Sequence, residues 1–284
     1  MQMAKKIDGK LLAEQLREEI REEVRQMTEA GNRPGLAVIL VGNDPASAVY
    51  VRNKKNAWAA AGIYSEEYLL AEDVSEDALL ALIAQLNGRP DIHGILLQTP
   101  VPPHLHYTRI AETILPSKDV DAFHPYNVGR IMMGNYDFVP CTPAGVMELI
   151  RSTGVEIRGR NCVVIGRSNI VGKPQAMLLL QADGTVTVCH SRTRDLAEIT
   201  RRADILVSAV GKAGFVTGDM VKPGAVVIDV GMNRTPDGKL TGDVDAASVE
   251  PVAGYLTPVP GGVGPMTVTM LLRNTVTAAK KQKK

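Results

Sequence analysis

The sequence has little of several features that would each indicate a class of protein. It contains three cysteines, with no C-x-x-C pair, so neither a disulfide framework nor a zinc site is indicated, and we expect no metal. Aromatic residues make up 4% of the chain and the net charge is +1. We therefore expect no nucleic-acid partner, since such a partner favours a basic surface and stacking aromatics. No apolar run approaches the roughly 18 residues of a membrane span, so no membrane partner is expected.

The remaining sequence is patterned throughout. Its 284 residues allow one large or two ordinary domains. Apolar strand-like runs alternate with helical segments, which predicts an α/β fold with mostly parallel sheets. The pattern breaks around residues 140–160 and predicts two α/β domains. The chain opens with an amphipathic helix rather than a secretion signal, and with the scarce cysteines this favours the cytoplasm.

A strand, a glycine turn and a helix start follow one another at residues 163–174. An apolar run ends at Gly166, Arg167 and Ser168 come next, and a helix is predicted from Val171. This geometry presents free backbone N–H groups and a positive helix end to a phosphate. The pattern matches neither a Walker loop nor a regular G-x-G-x-x-G. It favours a dinucleotide site, the alternative being a tight turn in any α/β sheet.

The strand after this turn ends in Ser191 and Arg192. Dinucleotide folds usually place an acid here to hold the ribose 2′-hydroxyl. A serine and an arginine favour a 2′-phosphate instead, and therefore NADP over NAD. The alternatives are an ordinary polar loop, or a phosphate held by Arg167 or Lys173.

Tyr50 and Lys54 lie four residues apart on a helix predicted from Asp44-Pro45 towards Gly62, so they share one helix face. A lysine among other cations and partly removed from water loses its proton more readily and can act as a base. The alternative is a solvated basic helix surface.

Three further polar features follow predicted strands or open loops. Gln98 stands just past the strand predicted over 92–97, where ligands gather in α/β sheets. In the segment Lys118–His124 the carboxylates match no metal-binding spacing, and Asp121 is the better candidate for an amino-pyrimidine ring. A rigid proline- and glycine-rich loop around Pro260–Gly262 precedes the last helix and could approach a flat ligand closely.

Taken together, these segments resemble the bifunctional methylenetetrahydrofolate dehydrogenase/cyclohydrolase family. They span nearly the whole chain in family order. The matching stretches are Tyr50-Val51-x-x-Lys54, the segment ending at Gln98, Lys118–Asp121, Pro140–Pro143, Gly166–Pro174, Cys189–Thr193 and Thr257–Thr267.

The resemblance implies two α/β domains with the folate in the cleft between them. Residues 1–140 would form the catalytic, folate-binding domain, completed by the C-terminal helix 265–284. Residues 141–264 would form the NADP-binding domain, a Rossmann-like dinucleotide-binding domain. The substrates would be one-carbon derivatives of tetrahydrofolate. The chain would oxidise 5,10-methylenetetrahydrofolate with NADP and hydrolyse the methenyl product to 10-formyltetrahydrofolate, a reaction of one-carbon metabolism and purine biosynthesis. A homodimer is implied as well.

The resemblance also implies roles for single residues. Lys54 would be the general acid/base, Gln98 would hold it, Tyr50 would stack on the folate and Asp121 would bind the pterin edge. The other matching positions are Gly166, Arg167, Ser168, Ser191, Arg192 and Met232 for the cofactor, and Pro260, Gly261 and Gly262 for the substrate. Ala122 departs from the family, which commonly has glycine there. The alternatives are a monofunctional dehydrogenase and a non-catalytic folate- or dinucleotide-binding protein.

Overall fold

The computed structural model describes residues 3–42 and 56–282. The described residues form two compact units, one of residues 3–14 and 140–267, the other of residues 15–139 and 268–282 without the gap at 43–55. The sequence analysis placed the whole N-terminal segment with the folate-binding part. Strand Lys5–Lys6 instead pairs with Tyr255–Leu256, so the first described residues belong to the unit that contains the glycine turn.

The strands are numbered here in chain order: β1 Lys5–Lys6, β2 Gly35–Val41, β3 Tyr64–Leu70, β4 Gly94–Leu97, β5 Asn161–Ile165, β6 Thr185–Cys189, β7 Ile205–Ser208, β8 Val226–Asp229, β9 Asn233–Arg234, β10 Leu240–Thr241 and β11 Tyr255–Leu256. The helices are Gly9–Glu29, Glu76–Gly88, Tyr107–Thr113, Pro125–Met133, Cys141–Ser152, Gly172–Gln181, Leu196–Thr200, Ala246–Val249 and Val263–Gln282, with a 3₁₀ turn at Gly218–Met220. Residues 56–60 are helical too.

The unit with the glycine turn is built on a six-stranded sheet of order β1-β11-β8-β7-β5-β6. Every pairing in this sheet is parallel, so the carboxyl ends of its strands lie at one edge. The strands β5, β7 and β8 are almost wholly buried, as expected for parallel strands covered on both faces. This confirms the Rossmann-like prediction. A small antiparallel pair, β9 with β10, lies outside the sheet.

The other unit contains a three-stranded parallel sheet of order β3-β2-β4. All seven residues of β2 are buried, because this central strand has neighbours on both sides and an apolar core that includes Leu79, Ile83 and Ile110. Helix Glu76–Gly88 begins directly after Ser75, whose hydroxyl accepts from Ala78 N.

Two element boundaries differ from those predicted. The strand predicted over 92–97 begins at Gly94, and the helix predicted from Pro265 begins at Val263. Among the helices of residues 3–42 and 56–282, none is both long enough and apolar enough to cross a bilayer.

Candidate active site

The glycine turn after β5 is built so that only bare backbone fits. Gly166 has φ +126°, a conformation that L side chains rarely adopt, and a Cβ there would collide with the carbonyl oxygen of Ala209. A Cβ on Gly172, the first residue of helix Gly172–Gln181, would collide with the carbonyl oxygen of Gly166. The turn and the helix start are therefore packed backbone to backbone, which places the N-terminus of the helix, an anion-binding position, directly beside the turn.

Ser168 fixes the beginning of that helix. Its Oγ accepts from the backbone N–H of Val171 at 3.2 Å and of Gly172 at 3.3 Å, two donors that a helix leaves without intrahelical partners. The hydroxyl hydrogen is still available to a phosphate oxygen. Lys173 is held on the same turn, because its Nζ donates to Asn169 Oδ1 at 2.7 Å.

Ser191 and Arg192 lie directly beside the glycine turn. The last residue of β5, Ile165, is in register with Cys189 at the end of β6, and Gly166 N donates to Cys189 O at 2.8 Å. Arg192 N donates to His190 Nδ1 at 3.1 Å, which fixes the backbone of the loop. Ser191 and Arg192 are exposed, and no carboxylate stands between Cys189 and Arg192. The glycine turn, the helix start and this loop thus fit a dinucleotide with a 2′-phosphate.

The remaining predicted cofactor residue follows another strand of the same sheet. Met232 comes three residues after β8, which is separated from β5 by β7, and its side chain is 57% exposed. Because the strands are parallel, Met232 lies at the edge that also carries the glycine turn.

The loop with Pro260, Gly261 and Gly262 is held by the start of helix Gly9–Glu29. Gly261 has φ +106°, and the peptide bond before Pro260 is cis. Lys10 N donates to Gly261 O at 3.0 Å, and a Cβ on Gly9 would collide with the carbonyl oxygen of Gly262. The shape of this loop is therefore set by contacts within its own unit.

Gln98 and Asp121 lie at the carboxyl edge of the three-stranded sheet. Gln98 follows β4, its backbone N–H donates to Ile39 O at 2.9 Å, and its Nε2 donates to Thr99 O at 2.7 Å. Its side chain is buried. Asp119 pairs with Ile95 of β4, so Asp121 lies two residues beyond that pairing.

Tyr107 is a neighbour of this carboxylate that the sequence analysis did not single out. Burial raises the pKa of its hydroxyl, and the nearby carboxylates of Asp121 and Asp119 raise it further. A tyrosine at the start of a helix carries no pattern of its own, so only the fold shows that it is close to Asp121.

The two residues that open the Lys118–Asp121 segment have structural partners. Lys118 Nζ donates to Leu86 O at 3.0 Å and to Arg89 O at 2.6 Å, where helix Glu76–Gly88 ends. Burial lowers the pKa of this ammonium group. Through these two hydrogen bonds Lys118 caps the C-terminal end of helix Glu76–Gly88.

Asp119 is also tied into the fold. Its Oδ2 accepts from His124 N at 2.8 Å and from Asn127 Nδ2 at 2.9 Å, and burial raises its pKa. Asp121 is half-buried rather than buried, and is therefore the more accessible of the two carboxylates. Within residues 3–42 and 56–282, no group of three or more His, Cys, Asp and Glu side chains could hold a metal ion.

Ala122 has φ +60° and a fully buried side chain. The left-handed conformation favours glycine, which gives a physical reason for the glycine that the resembled family commonly has here. The alanine is accommodated, and its N–H donates to Asp119 O at 3.1 Å. Tyr50 and Lys54 lie outside the described residues.

Comparison with known proteins covers both units. The catalytic-domain model of the tetrahydrofolate dehydrogenase/cyclohydrolase family matches residues 7–121, and the NAD(P)-binding-domain model of the same family matches residues 140–283. The bifunctional protein FolD of Acetivibrio thermocellus is 58% identical over 281 residues, which are 99% of each chain. That of Dechloromonas aromatica is 58% identical over 279 residues, 98% of each chain.

Solved structures agree. The FolD methylenetetrahydrofolate dehydrogenase/cyclohydrolase of Campylobacter jejuni has a TM-score of 0.96 and 48% identity, covering 98% of this chain and 99% of that one. The Trypanosoma brucei enzyme, complexed with NADP cofactor and inhibitor, has a TM-score of 0.94 and 43% identity over 99% of each chain. With both domain models matched and relatives this similar over the full length, the chain belongs to the tetrahydrofolate dehydrogenase/cyclohydrolase family.

Proposed function

We propose that this chain oxidises 5,10-methylenetetrahydrofolate to the 5,10-methenyl cation with NADP and then hydrolyses the cation to 10-formyltetrahydrofolate. The observation that carries the proposal is the match of both family domains. It is supported by the glycine turn beside an acid-free Ser191-Arg192 loop, and by the NADP complex of the Trypanosoma brucei relative.

The oxidation asks little acid/base help from the protein. The methylene carbon is flanked by two nitrogens whose lone pairs stabilise the cation that remains when a hydride leaves. NADP bound at this site would supply the acceptor for that hydride. What the chain must supply is alignment of the two partners. We assign this to the edge of the six-stranded sheet, where Gly166, Arg167, Ser168, Ser191, Arg192 and Met232 would hold the dinucleotide.

The hydrolysis needs a proton acceptor. Water that adds to the methenyl carbon must lose a proton to a base. The bond from that carbon to one of its two nitrogens then breaks as this nitrogen takes up a proton and the new hydroxyl loses its own, which leaves the formyl group. We assign the acid/base role to Lys54, with Tyr50 stacked on the folate. Gln98 is suited to orient Lys54, because its side chain is buried and its amide is anchored to Thr99 O.

Asp121 is assigned to the pterin edge, with Pro260, Gly261 and Gly262 as further substrate contacts. A carboxylate can accept paired charge-assisted hydrogen bonds from a ring N–H and an amino group. Asp121→Ala should weaken folate binding and reduce both activities together. Unchanged folate affinity in calorimetry would show that Asp121 is structural. Asp73→Ala, an exposed carboxylate in the same unit, is the charge-matched control.

The activity itself is tested by a spectrophotometric assay of the purified chain. Methylenetetrahydrofolate and NADP are supplied, and NADPH and the methenyl chromophore are followed separately. The proposal expects NADPH to form, and methenyltetrahydrofolate supplied alone to be hydrolysed without a dinucleotide. NADPH formation with no hydrolysis would identify a monofunctional dehydrogenase. If neither NADPH formation nor hydrolysis is observed, the chain would be a non-catalytic binding protein. Each of these two outcomes contradicts the proposal.

We further propose a cytoplasmic homodimer whose 10-formyl product supplies formyl-transfer reactions such as those of purine biosynthesis. The three cysteines are buried and form no disulfide, which suits a reducing compartment. Sedimentation at micromolar concentration should give twice the 30.5 kDa of one chain. A species of the single-chain mass would contradict the dimer.

A further inference from the structure

Two buried carboxylates lie beneath the cofactor edge of the six-stranded sheet, and neither has a role in the proposed chemistry. Asp229 ends β8, and Asp243 follows β10; they are 3% and 0% exposed. The two residues are hydrogen-bonded to each other, because the backbone N–H of Asp243 donates to Asp229 Oδ1 at 2.8 Å. We call these two residues the carboxylate pair.

Asp243 gathers donors from the loop that follows β7. Its Oδ2 accepts from Val210 N at 2.7 Å, from Gly211 N at 3.2 Å and from Ser208 Oγ at 3.3 Å. Its Oδ1 accepts from Lys212 N at 2.9 Å. Three successive backbone N–H groups thus point inward at one carboxylate, which fixes the course of residues 210–212.

The same carboxylate also reaches the segment that follows β8. Asn233 Nδ2 donates to Asp243 Oδ1 at 2.9 Å, and Asn233 is the neighbour of Met232. Gly231 lies against Asp243 so closely that a Cβ there would collide with Oδ1. The Asp243 carboxylate therefore links the loop after β7 to the segment that carries a proposed cofactor residue.

The loop after β7 in turn contacts the glycine turn. Ala209 N donates to Ile165 O at 2.8 Å, and a Cβ on Gly166 would collide with Ala209 O. Ala209 immediately precedes the three residues held by Asp243. The position of the Gly166 turn is thus defined on one side by a loop that Asp243 holds in place.

We propose that Asp243 is a positioning residue for dinucleotide binding: its buried carboxylate holds residues 210–212 and Asn233, and through them sets the Gly166 turn and Met232 for the cofactor. This rests on the proposed function, since it takes the edge of this sheet as the NADP site. It assigns Asp243 no contact with the cofactor and no part in the hydrolysis.

The test replaces Asp243 by asparagine, which keeps the shape. In either orientation the amide NH₂ group of the asparagine would face at least two of the donors that now bond Oδ1 or Oδ2. The loop of residues 210–212 must then move. The KM for NADP should rise at least about tenfold, the effect of one lost charge-assisted hydrogen bond, with kcat at saturating NADP changed less than about threefold. Methenyltetrahydrofolate hydrolysis, which needs no dinucleotide, should stay near that of the parent. Asp237→Asn, an exposed carboxylate in the same unit, is the charge-matched control and should change neither.

A second variant covers the case in which Asp243→Asn does not fold. Asn233→Ala removes only the link to Asp243 Oδ1 and should raise the KM for NADP by about threefold to tenfold, again without loss of hydrolysis. An unchanged KM for NADP in the variants that fold, or parallel loss of both activities with KM unchanged, would overturn the assignment and leave Asp243 a structural residue. If the parental enzyme itself lacks oxidation or hydrolysis, the proposed function is refuted instead. Failure of the Asp243 assignment and failure of the proposed function can therefore be distinguished.

Discussion

Replacing Arg192 by alanine removes the guanidinium that we assign to the 2′-phosphate of NADP. The loop that carries it is fixed beside the glycine turn by the pairing of Ile165 with Cys189 and by the bond from Gly166 N to Cys189 O. Its backbone is further held by the bond from Arg192 N to His190. Neither the Arg192 nor the Arg167 side chain has a hydrogen-bonding or ionic partner among the described residues, whereas Lys173 is already bonded to Asn169. Arg192 is therefore available to a ligand.

The expected magnitude follows from that geometry. A hydrogen bond to a charged group contributes roughly 1.5–3 kcal/mol. Arg192 is exposed, so we take the lower end of that range for each of one or two bonds. Every 1.4 kcal/mol is about tenfold in affinity, so Arg192→Ala should raise the KM for NADP by about ten- to a hundredfold. The KM for NAD, which lacks the 2′-phosphate, should be nearly unchanged.

The assay measures initial rates of methylenetetrahydrofolate oxidation against each dinucleotide. Arg194→Ala, an exposed arginine two residues further along, is the matched control, and Arg167→Ala and Lys173→Ala test the competing positions. An Arg192→Ala enzyme that still discriminates against NAD as well as the parent would refute the assignment. A loss of discrimination in Lys173→Ala or Arg167→Ala instead would move the phosphate to that residue.

Three further changes test other parts of the account. Gly166→Ala places a residue with a side chain at φ +126° and brings its Cβ against Ala209 O. NADP-dependent oxidation should therefore fall by at least about a hundredfold, while hydrolysis persists. Retained NADP affinity in calorimetry would contradict this. Burial raises the pKa of Asp229 to about 6 from 3.8, so its ionisation in the folded state costs about 3 kcal/mol as the pH rises through that range. The free energy of unfolding of the parent should therefore fall by about that much relative to Asp229→Asn between about pH 4 and 7, and equal pH dependence of the two would contradict the shift. Lys118→Met leaves the buried carbonyl of Leu86 and the partly buried carbonyl of Arg89 without their ammonium donor, and it should lower the free energy of unfolding by about 2 kcal/mol. An unchanged urea midpoint would show that the cap contributes nothing.

The long, buried elements were predictable because their sequences are consistent at every level. The run Leu36–Val41 is apolar throughout and forms the central strand β2. Ser75 followed by two acids indicates a capped helix start, and the helix begins there. The glycine turn could also be predicted from the sequence. The structure gives the reason for its two glycines, since a Cβ on Gly166 or Gly172 would collide with backbone.

The parts that could not be predicted depend on contacts between distant residues. Strand β1 consists of two exposed lysines, which have neither apolar character nor alternation, and only its pairing with β11 makes it a strand. This is why the start of the chain was assigned to the other unit. Asp243 has no distinguishing pattern around it in the sequence, and its hydrogen-bond donors come from residues 208, 210–212 and 233. Lys118 was taken as part of a recognition segment, but it caps a helix that ends about thirty residues earlier.

The measurement that tests the central claim most directly is the pair of activities in Lys54→Met. The substitution keeps most of the side-chain stem and removes the nitrogen that titrates. Methenyltetrahydrofolate hydrolysis should fall by at least about a hundredfold, the usual contribution of a general base. NADP affinity should barely change, and the methenyl product should accumulate as NADPH forms. Hydrolysis at nearly the parental rate would contradict the assignment of the second activity to Lys54.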